Sequence, residues 1–345
     1  MKKRAGGKKS KNWVWVILGI VIIGLIIAGY FIFFEGMEEK FEGDVEKITI
    51  GAETSLLTAA VWVAEEKGFF EDAGLDLTIE EFESGKASFN DMLNGGVDIS
   101  TVAPTPVMFR SLERNDFSII ATFVSSQEDV KVIVRKDSGI SKAEDLKGKT
   151  VGIVKGSTSE FFLSTFLIFR NLEYSDVLIK DFNPSDLPDR LNGGEVDAIV
   201  IWEPHAYNAM QLLGDNALRL PSSDVYDETF NFIVMKEFVE ENPETIKRFL
   251  RAIDRSTEFI EKNKEKSQMI VAKRLNLDKE VMFLLWDDFN FEISLKQSLI
   301  LTLEDEANWA IENNLTEVIE VPNYLNYICV DELRDIDEKK VTIIK

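Results

Sequence analysis

Residues 75–102 read LDLTIEEFESGKASFNDMLNGGVDISTV, and they decide the fold. Leu75–Phe82 alternates apolar and polar residues with the period of two that a strand requires. Ser84-Gly85-Lys86-Ala87-Ser88 is a turn that caps a helix, because a serine hydroxyl accepts from the first free helical amides. That helix stops at Asn94-Gly95-Gly96, residues that tolerate the left-handed conformation of a helix end. Val97–Val102 (VDISTV) is then a strand again. Strand–helix–strand order with such short connections implies parallel pairing and an α/β sheet. Working outward, Lys47–Ala52 (KITIGA) is an earlier strand. Thr54-Ser55-Leu56-Leu57-Thr58 after it opens a helix running through AAVWVAEEKGFF to near Gly68. Downstream, strands are expected at 130–134 (VKVIV), 150–154 (TVGIV), 177–182 (VLIKDF) and 198–202 (AIVIW), with a helix from Ser157 to Asn171. Beyond about Phe230 the chain is mostly helical, and Pro243 suits a first helical turn.

The turn inside that stretch has an internal echo. Leu93-Asn94-Gly95-Gly96-Val97-Asp98-Ile99 returns as Leu191-Asn192-Gly193-Gly194-Glu195-Val196-Asp197-Ala198-Ile199. In both places a helix ends in glycines, an Asp follows and an apolar strand begins. Two similar α/β halves facing one another would set their strand ends and helix N-termini around a cleft, where such sheets bind ligands.

At 345 residues the chain is too long for one core, and 45% hydrophobic with 29% charged residues is the composition of a folded protein. The first 34 residues carry six basic side chains and no acidic one, leaving a net charge of −28 on the remainder. A body so acidic repels nucleic acid and anionic membrane surfaces at long range. One cysteine, Cys329, excludes an internal disulfide and a multi-thiolate metal site, and one histidine, His205, leaves no histidine relay. Cys329 reads as a buried small hydrophobe and His205 as a satisfied surface or hinge residue. No nucleophile–base–orienter set and no GxxxxGK[ST] loop is present, so no catalytic residue, cofactor or metal is expected.

Residues 1–12 form a basic tail before an uncharged run from Trp13 to Phe34, 22 residues or roughly 33 Å of helix. The rival, a cleaved signal peptide, calls for a shorter apolar core and a small-x-small site, which does not follow Phe34. The expectation is a transmembrane signal anchor at 13–34 in the lipid bilayer, with the basic flank in the cytoplasm. Residues 35–46 then form an acidic tether.

Four segments carry a family resemblance. Residues 59–102 (AAVWVAEEKGFF through VDISTV) resemble the first lobe of periplasmic substrate-binding proteins for sulfonates, taurine and nitrate, whose relatives bind thiamine-pyrimidine precursors. EDLKGKTVGIVKGSTSEFFL resembles the start of their second lobe, VDAIVIWEPHA its later strand and exit loop, and FVEENPETIKRFLRAI the return helix. The resemblance spans about residues 47–330. It implies a two-lobed, type II-like fold, each lobe a mainly parallel sheet flanked by helices. The implied role is an extracytoplasmic receptor that closes on one small solute by a hinge and serves the permease of an ABC importer. Lobe one is expected at 47–126 and 228–330, lobe two at 127–227, and a tail at 331–345.

The candidate ligand residues lie where strands run out. Gly156, Ser157, Thr158 and Ser159 follow a strand and open a helix, so their amides and hydroxyls suit an anionic group, or serve as a plain cap. Thr54 and Ser55 hold the equivalent place after the first strand, Ser84 and Gly85 after the second, and Thr101, Pro104 and Thr105 after the third. Trp202 and Glu203 end AIVIW, where Trp202 packs or stacks and Glu203 accepts from a ligand N–H or pairs with Arg or Lys. Lys86 reads as a solvated helix residue, or as a cation for a bound anion. The expected function is capture of a small anionic or zwitterionic solute without chemistry. A heterocycle-binding protein and a tethered sensor remain as alternatives. A pyrimidine-synthesis enzyme would need iron ligands and a reactive histidine, which the chain lacks.

Overall fold

A computed structural model describes residues 41–222 and 225–344. The expected anchor at 13–34 lies outside the described residues, among which no helix is long and apolar enough to cross a membrane. Eleven strands follow in chain order: β1 (Glu46–Glu53), β2 (Leu75–Phe82), β3 (Ile99–Val102), β4 (Phe117–Ser126), β5 (Lys131–Arg135) and β6 (Thr150–Ile153). Then come β7 (Leu178–Asp181), β8 (Ala198–Ile201), β9 (Ala217–Leu220), β10 (Glu228–Met235) and β11 (Phe289–Asn290).

They form two sheets, ordered β11-β4-β10-β3-β1-β2 and β7-β6-β8-β5-β9. β1 pairs in parallel with both β2 and β3, and β6 in parallel with both β7 and β8. β10 runs antiparallel to β3 and β4, and β5 antiparallel to β8 and β9. The two sheets thus share a plan: three parallel strands in order 2-1-3, then the strand that enters from the other sheet, then a fifth strand, with β11 added at the edge of the first sheet. The entering strands come straight from the two crossings, so they arrive at the cleft end and must run backwards. β4, β9, β10 and the short β11 escaped the sequence reading, which expected mostly helix beyond about Phe230. β4 carries FSIIATFVSS, buried at nine of ten positions, so it has no alternation to betray it.

The LNGG echo has a mechanical meaning. Gly95 and Gly194 end their helices at φ 78° and 74°, the left-handed region that favours glycine. Asp98 Oδ2 then accepts from the Thr49 amide at 2.7 Å, and Asp197 Oδ2 from the Thr150 amide at 2.9 Å. Asp98 thereby grips the middle of β1, and Asp197 the first residue of β6.

Two apolar cores follow the two sheets, and the one against the first sheet also takes in the C-terminal helices. The helix Pro243–Lys262 buries Ile246, Phe249, Leu250 and Ile253 on that core. Phe161 belongs to the first core although its helix, Thr158–Ile168, starts directly after β6. Its ring meets Tyr226 at 5.3 Å and Trp309 at 5.2 Å between centroids. Residues 331–344, read as part of a tail, pack on the first core: Leu333 and Ile343 are buried, and Thr342 N donates to the Leu295 carbonyl at 2.9 Å.

Candidate functional site

Strand ends and helix N-termini of both sheets converge on a small, partly open cavity. Its wall takes Glu53, Ser84, Gly85, Lys86, Glu228 and Phe230 from the first-sheet side, with Leu57, Ala103 and Pro106. Ser157, Thr158 and Trp202 close it from the second.

The helix Thr158–Ile168 points its N-terminus into this space. Ser157 is its cap: the hydroxyl accepts from the Ser159 amide at 3.2 Å and donates to the Val154 carbonyl at 2.7 Å. Gly156 N donates to Glu160 Oε2, and Glu160 N to the Ser157 carbonyl. The amides of Ser157 and Thr158 have no acceptor among the described residues. Two open amides at the positive end of a helix suit an anionic group.

The opposing helix, Gly85–Leu93, starts differently. Its first amide, Gly85 N, donates at 2.6 Å to Glu53 Oε2, so a side chain of the protein already sits on that N-terminus. Glycine is required there, since a Cβ would lie 2.8 Å from Val102 Cα and 2.9 Å from Phe230 Cζ. Glu53 is 4% exposed, and its Oε1 has no donor among the described residues. Burial pushes its carboxyl up to about 8; the Gly85 amide opposes this and Asp129 adds to it.

The two crossings bring a second acidic group beside it. Asp129 lies in the first crossing and Glu228 follows the second, and burial pushes Asp129 up to about 7 against the opposing pull of Lys131. Glu228 is raised well above the ordinary range by burial and then by Asp129. The two carboxyls are within hydrogen-bonding reach, and Asp129 Oδ2 and Glu228 Oε2 each lack a donor. Thr158 also reaches the Glu228 carboxyl from the second side.

Lys131 and Glu203 form a buried ion pair at 2.7 Å, 3% and 2% exposed, and Asp288 reaches the same ammonium at 3.2 Å. Burial works against the Lys131 charge, but Glu203, Asp129 and Asp288 outweigh it and hold its pKa above the ordinary value. Glu203 Oε2 accepts from the Tyr207 amide, so both its oxygens are engaged away from the cavity wall. Of its two readings, the structural pair is the one realised.

Five sequence candidates reach the cavity wall: Ser84, Gly85, Ser157, Thr158 and Trp202. The others stand elsewhere. Thr54 is exposed, and Ser55 is buried beside Glu53. Thr101 Oγ1 accepts from the Glu53 amide, and Thr105 donates to Glu306. Pro104 opens its helix, Ser159 donates to the Val200 carbonyl, and Gly156 takes φ 66° beside the Lys86 ammonium. Lys86, read mainly as solvated, donates to the Lys155 carbonyl at 2.6 Å and so ties the first sheet's helix to the loop after β6. His205 is mostly buried near Trp202, and the lack of solvent there pulls its pKa down to about 4. Glu53 and Glu228 were missed. The available signal was a carboxylate ending an otherwise apolar strand, as in KITIGAE. Among the described residues no His/Cys/Asp/Glu cluster is arranged for a metal ion.

Comparisons agree with this architecture. The chain is 31% identical over 248 residues, 69% of its own length and 72% of the other, to a Bacillus subtilis (strain 168) protein named "Putative aliphatic sulfonates-binding protein". It is 25% identical to the taurine-binding periplasmic protein of Escherichia coli (strain K12) over 64% of this chain and 68% of that one. The crystal structure of the periplasmic aliphatic sulphonate binding protein SsuA from Escherichia coli superposes with a TM-score of 0.70 at 21% identity, covering 82% of this chain and 97% of that one. The nitrate-binding protein NrtA from Synechocystis PCC 6803 gives 0.69 at 15% identity, covering 86% and 89%. These likenesses show the two-lobed periplasmic-binding-protein fold. A family model described as "NMT1/THI5 like" matches residues 57–267, and the chain belongs to that family.

Proposed function

We propose that this protein captures one small solute between its two lobes outside the cytoplasm and delivers it unchanged to the permease of an ABC importer. The observation that carries the reading is the cavity walled from both sheets, with the open helix N-terminus at Ser157 and Thr158 on one side. The lobes are assigned as 47–126 with 228–330, and 127–227, joined by the two crossings. The solute class is small and anionic or zwitterionic, such as a sulfonate, taurine or nitrate. The names of the relatives support that choice, and so do the two unfilled amides. Ser84, Gly85, Ser157, Thr158 and Trp202, which line the cavity, are the proposed solute contacts among the sequence candidates. The uncharged run at 13–34, with six basic residues before it, supports a single-pass anchor with the N-terminus in the cytoplasm.

A thermal-shift screen with sulfonates, taurine, nitrate, pyrimidines and riboflavin identifies the solute, because a ligand of the folded state raises the melting temperature. Small-angle scattering with that solute is expected to show a smaller radius of gyration, and the solute to be recovered intact. Conversion to a product rejects the receptor reading. Intact-mass analysis of membrane-extracted protein is expected to retain residues 1–34, and a soluble form starting near residue 35 rejects the anchor.

A further inference from the structure

We propose that the cavity selects a solute bearing an ammonium group, held by Glu53 and Glu228 against the rings of Trp202 and Phe230; this rests on the solute-binding reading above. Four of the residues forming one continuous wall carry the argument: two carboxyls at 4% and 3% exposure and two buried aromatic side chains. Each carboxyl keeps one oxygen without a donor, Glu53 Oε1 and Glu228 Oε2. An ammonium brings three N–H donors, and aromatic faces favour a cation stripped of water. A bare inorganic anion brings no donor and would sit against two acids. The cation on this wall, Lys86, is at the edge where it bonds the Lys155 carbonyl, and Lys131 is committed to Glu203 and Asp288. The open amides of Ser157 and Thr158 then take the solute's other, anionic end. The geometry points to a short zwitterion, with the ammonium toward the first sheet and the anion toward the helix Thr158–Ile168.

Proton accounting follows from the same groups. Glu53 faces the Gly85 amide, Ser55 and Asp129; Glu228 faces Asp129, Glu53 and Thr158; Lys131 and Glu203 stand beside Asp129, and Lys86 lies across the cavity. Burial raises both carboxyls, Glu53 to about 8, so near pH 7 Glu53 is mainly protonated before binding. An arriving ammonium stabilises carboxylate, so a proton leaves to solvent as the solute enters.

The test is calorimetry and thermal melting of the full chain with matched probes: taurine against ethanesulfonate, 3-aminopropanesulfonate against propanesulfonate, and β-alanine against propionate, with nitrate alone. At least one amine member is expected to bind about tenfold or more tighter than its partner. Its apparent enthalpy is expected to differ between two buffers of unlike ionisation enthalpy, reporting the released proton. Glu53→Gln and Glu228→Gln are each expected to erase the amine preference without lowering the melting temperature, since each removes a buried ionisable group. Should either variant not fold, the probe pairs on the parent still decide. Ethanesulfonate, propionate or nitrate binding as tightly as the amines, or no amine probe binding at all, overturns the proposal. An anion that compacts the lobes without amine preference overturns it while leaving solute capture standing. No ligand-linked compaction across the whole screen overturns solute capture itself.

Discussion

Lys131 lies between Glu203 and Asp288, with Asp129 in its field, in a place where none of the three charges at the bonds is freely hydrated. Removing the ammonium alone strands two carboxylates, and the cost of an unpaired buried charge exceeds the worth of the pair. Lys131→Met is therefore expected to lower stability by about 3–5 kcal/mol in denaturant titration, and adding Glu203→Gln to recover part of that loss. His205 makes the converse case, a base kept neutral by burial. Its folded pKa near 4 is below the unfolded value, so its contribution is present above about pH 6.5 and is lost as pH falls through 4. As the chain's single histidine it has unambiguous ring resonances, which are expected to stay neutral in NMR titration down to about pH 5. Titration near 6.5 would reject the buried placement. Glu306 works the other way: burial raises it to about 8 despite donors on Tyr226 and Thr105. Its contribution is complete below the ordinary glutamate value and is lost as pH rises through 8, so Glu306→Gln should flatten that alkaline decline.

At the scale of elements, the stiff parts are the repeated Asp clamps and the two caps. Asp98 and Asp197 hold the same position in the two halves, each accepting from a threonine amide of the adjacent parallel strand. Each Asp→Ala change leaves strand amides without that acceptor and is expected to cost about 1–3 kcal/mol in denaturant titration. Similar losses at the two sites would support their equivalence; a loss at one alone would reject it. Ser157→Ala removes the hydroxyl from both Val154 and Ser159, so about 1 kcal/mol of stability should go with any loss of binding. Gly85→Ala drives a methyl against Val102 and Phe230, and about 1–3 kcal/mol of overpacking is expected with displacement of the Glu53 cap. The helix boundaries and the glycine stops were legible because local rules set them. β4 was not, because a fully buried strand shows neither alternation nor a polar face.

Across the whole molecule, two sheets of matching plan are joined by two crossings, and Phe161 packs its ring against Tyr226 and Trp309. That contact shares its burial with the first core, so it favours the arrangement in which the sheets lie close. Phe161→Ala is expected to enlarge the radius of gyration by small-angle scattering without changing the far-ultraviolet circular dichroism. An unchanged radius would show that other contacts, such as Lys86 with Lys155, hold the sheets together.

The alternating strand at 75–82, the glycine stops and the LNGG echo determined an α/β chain of two like halves, since these features depend on residues close in sequence. Composition argued against nucleic acid as a partner of the acidic body, and a resemblance over about 47–330 pointed to solute capture. Only the tertiary structure decided which candidates meet. Glu203 left the site because Lys131, 72 positions away, neutralises it, while Glu53 and Glu228 entered it from strands far apart in the chain. The spacing of residues along a helix or strand is set locally. The company a buried charge keeps is set by residues such as Lys131 and Glu203, 72 positions apart, that the chain crossings bring together, and no local pattern records it.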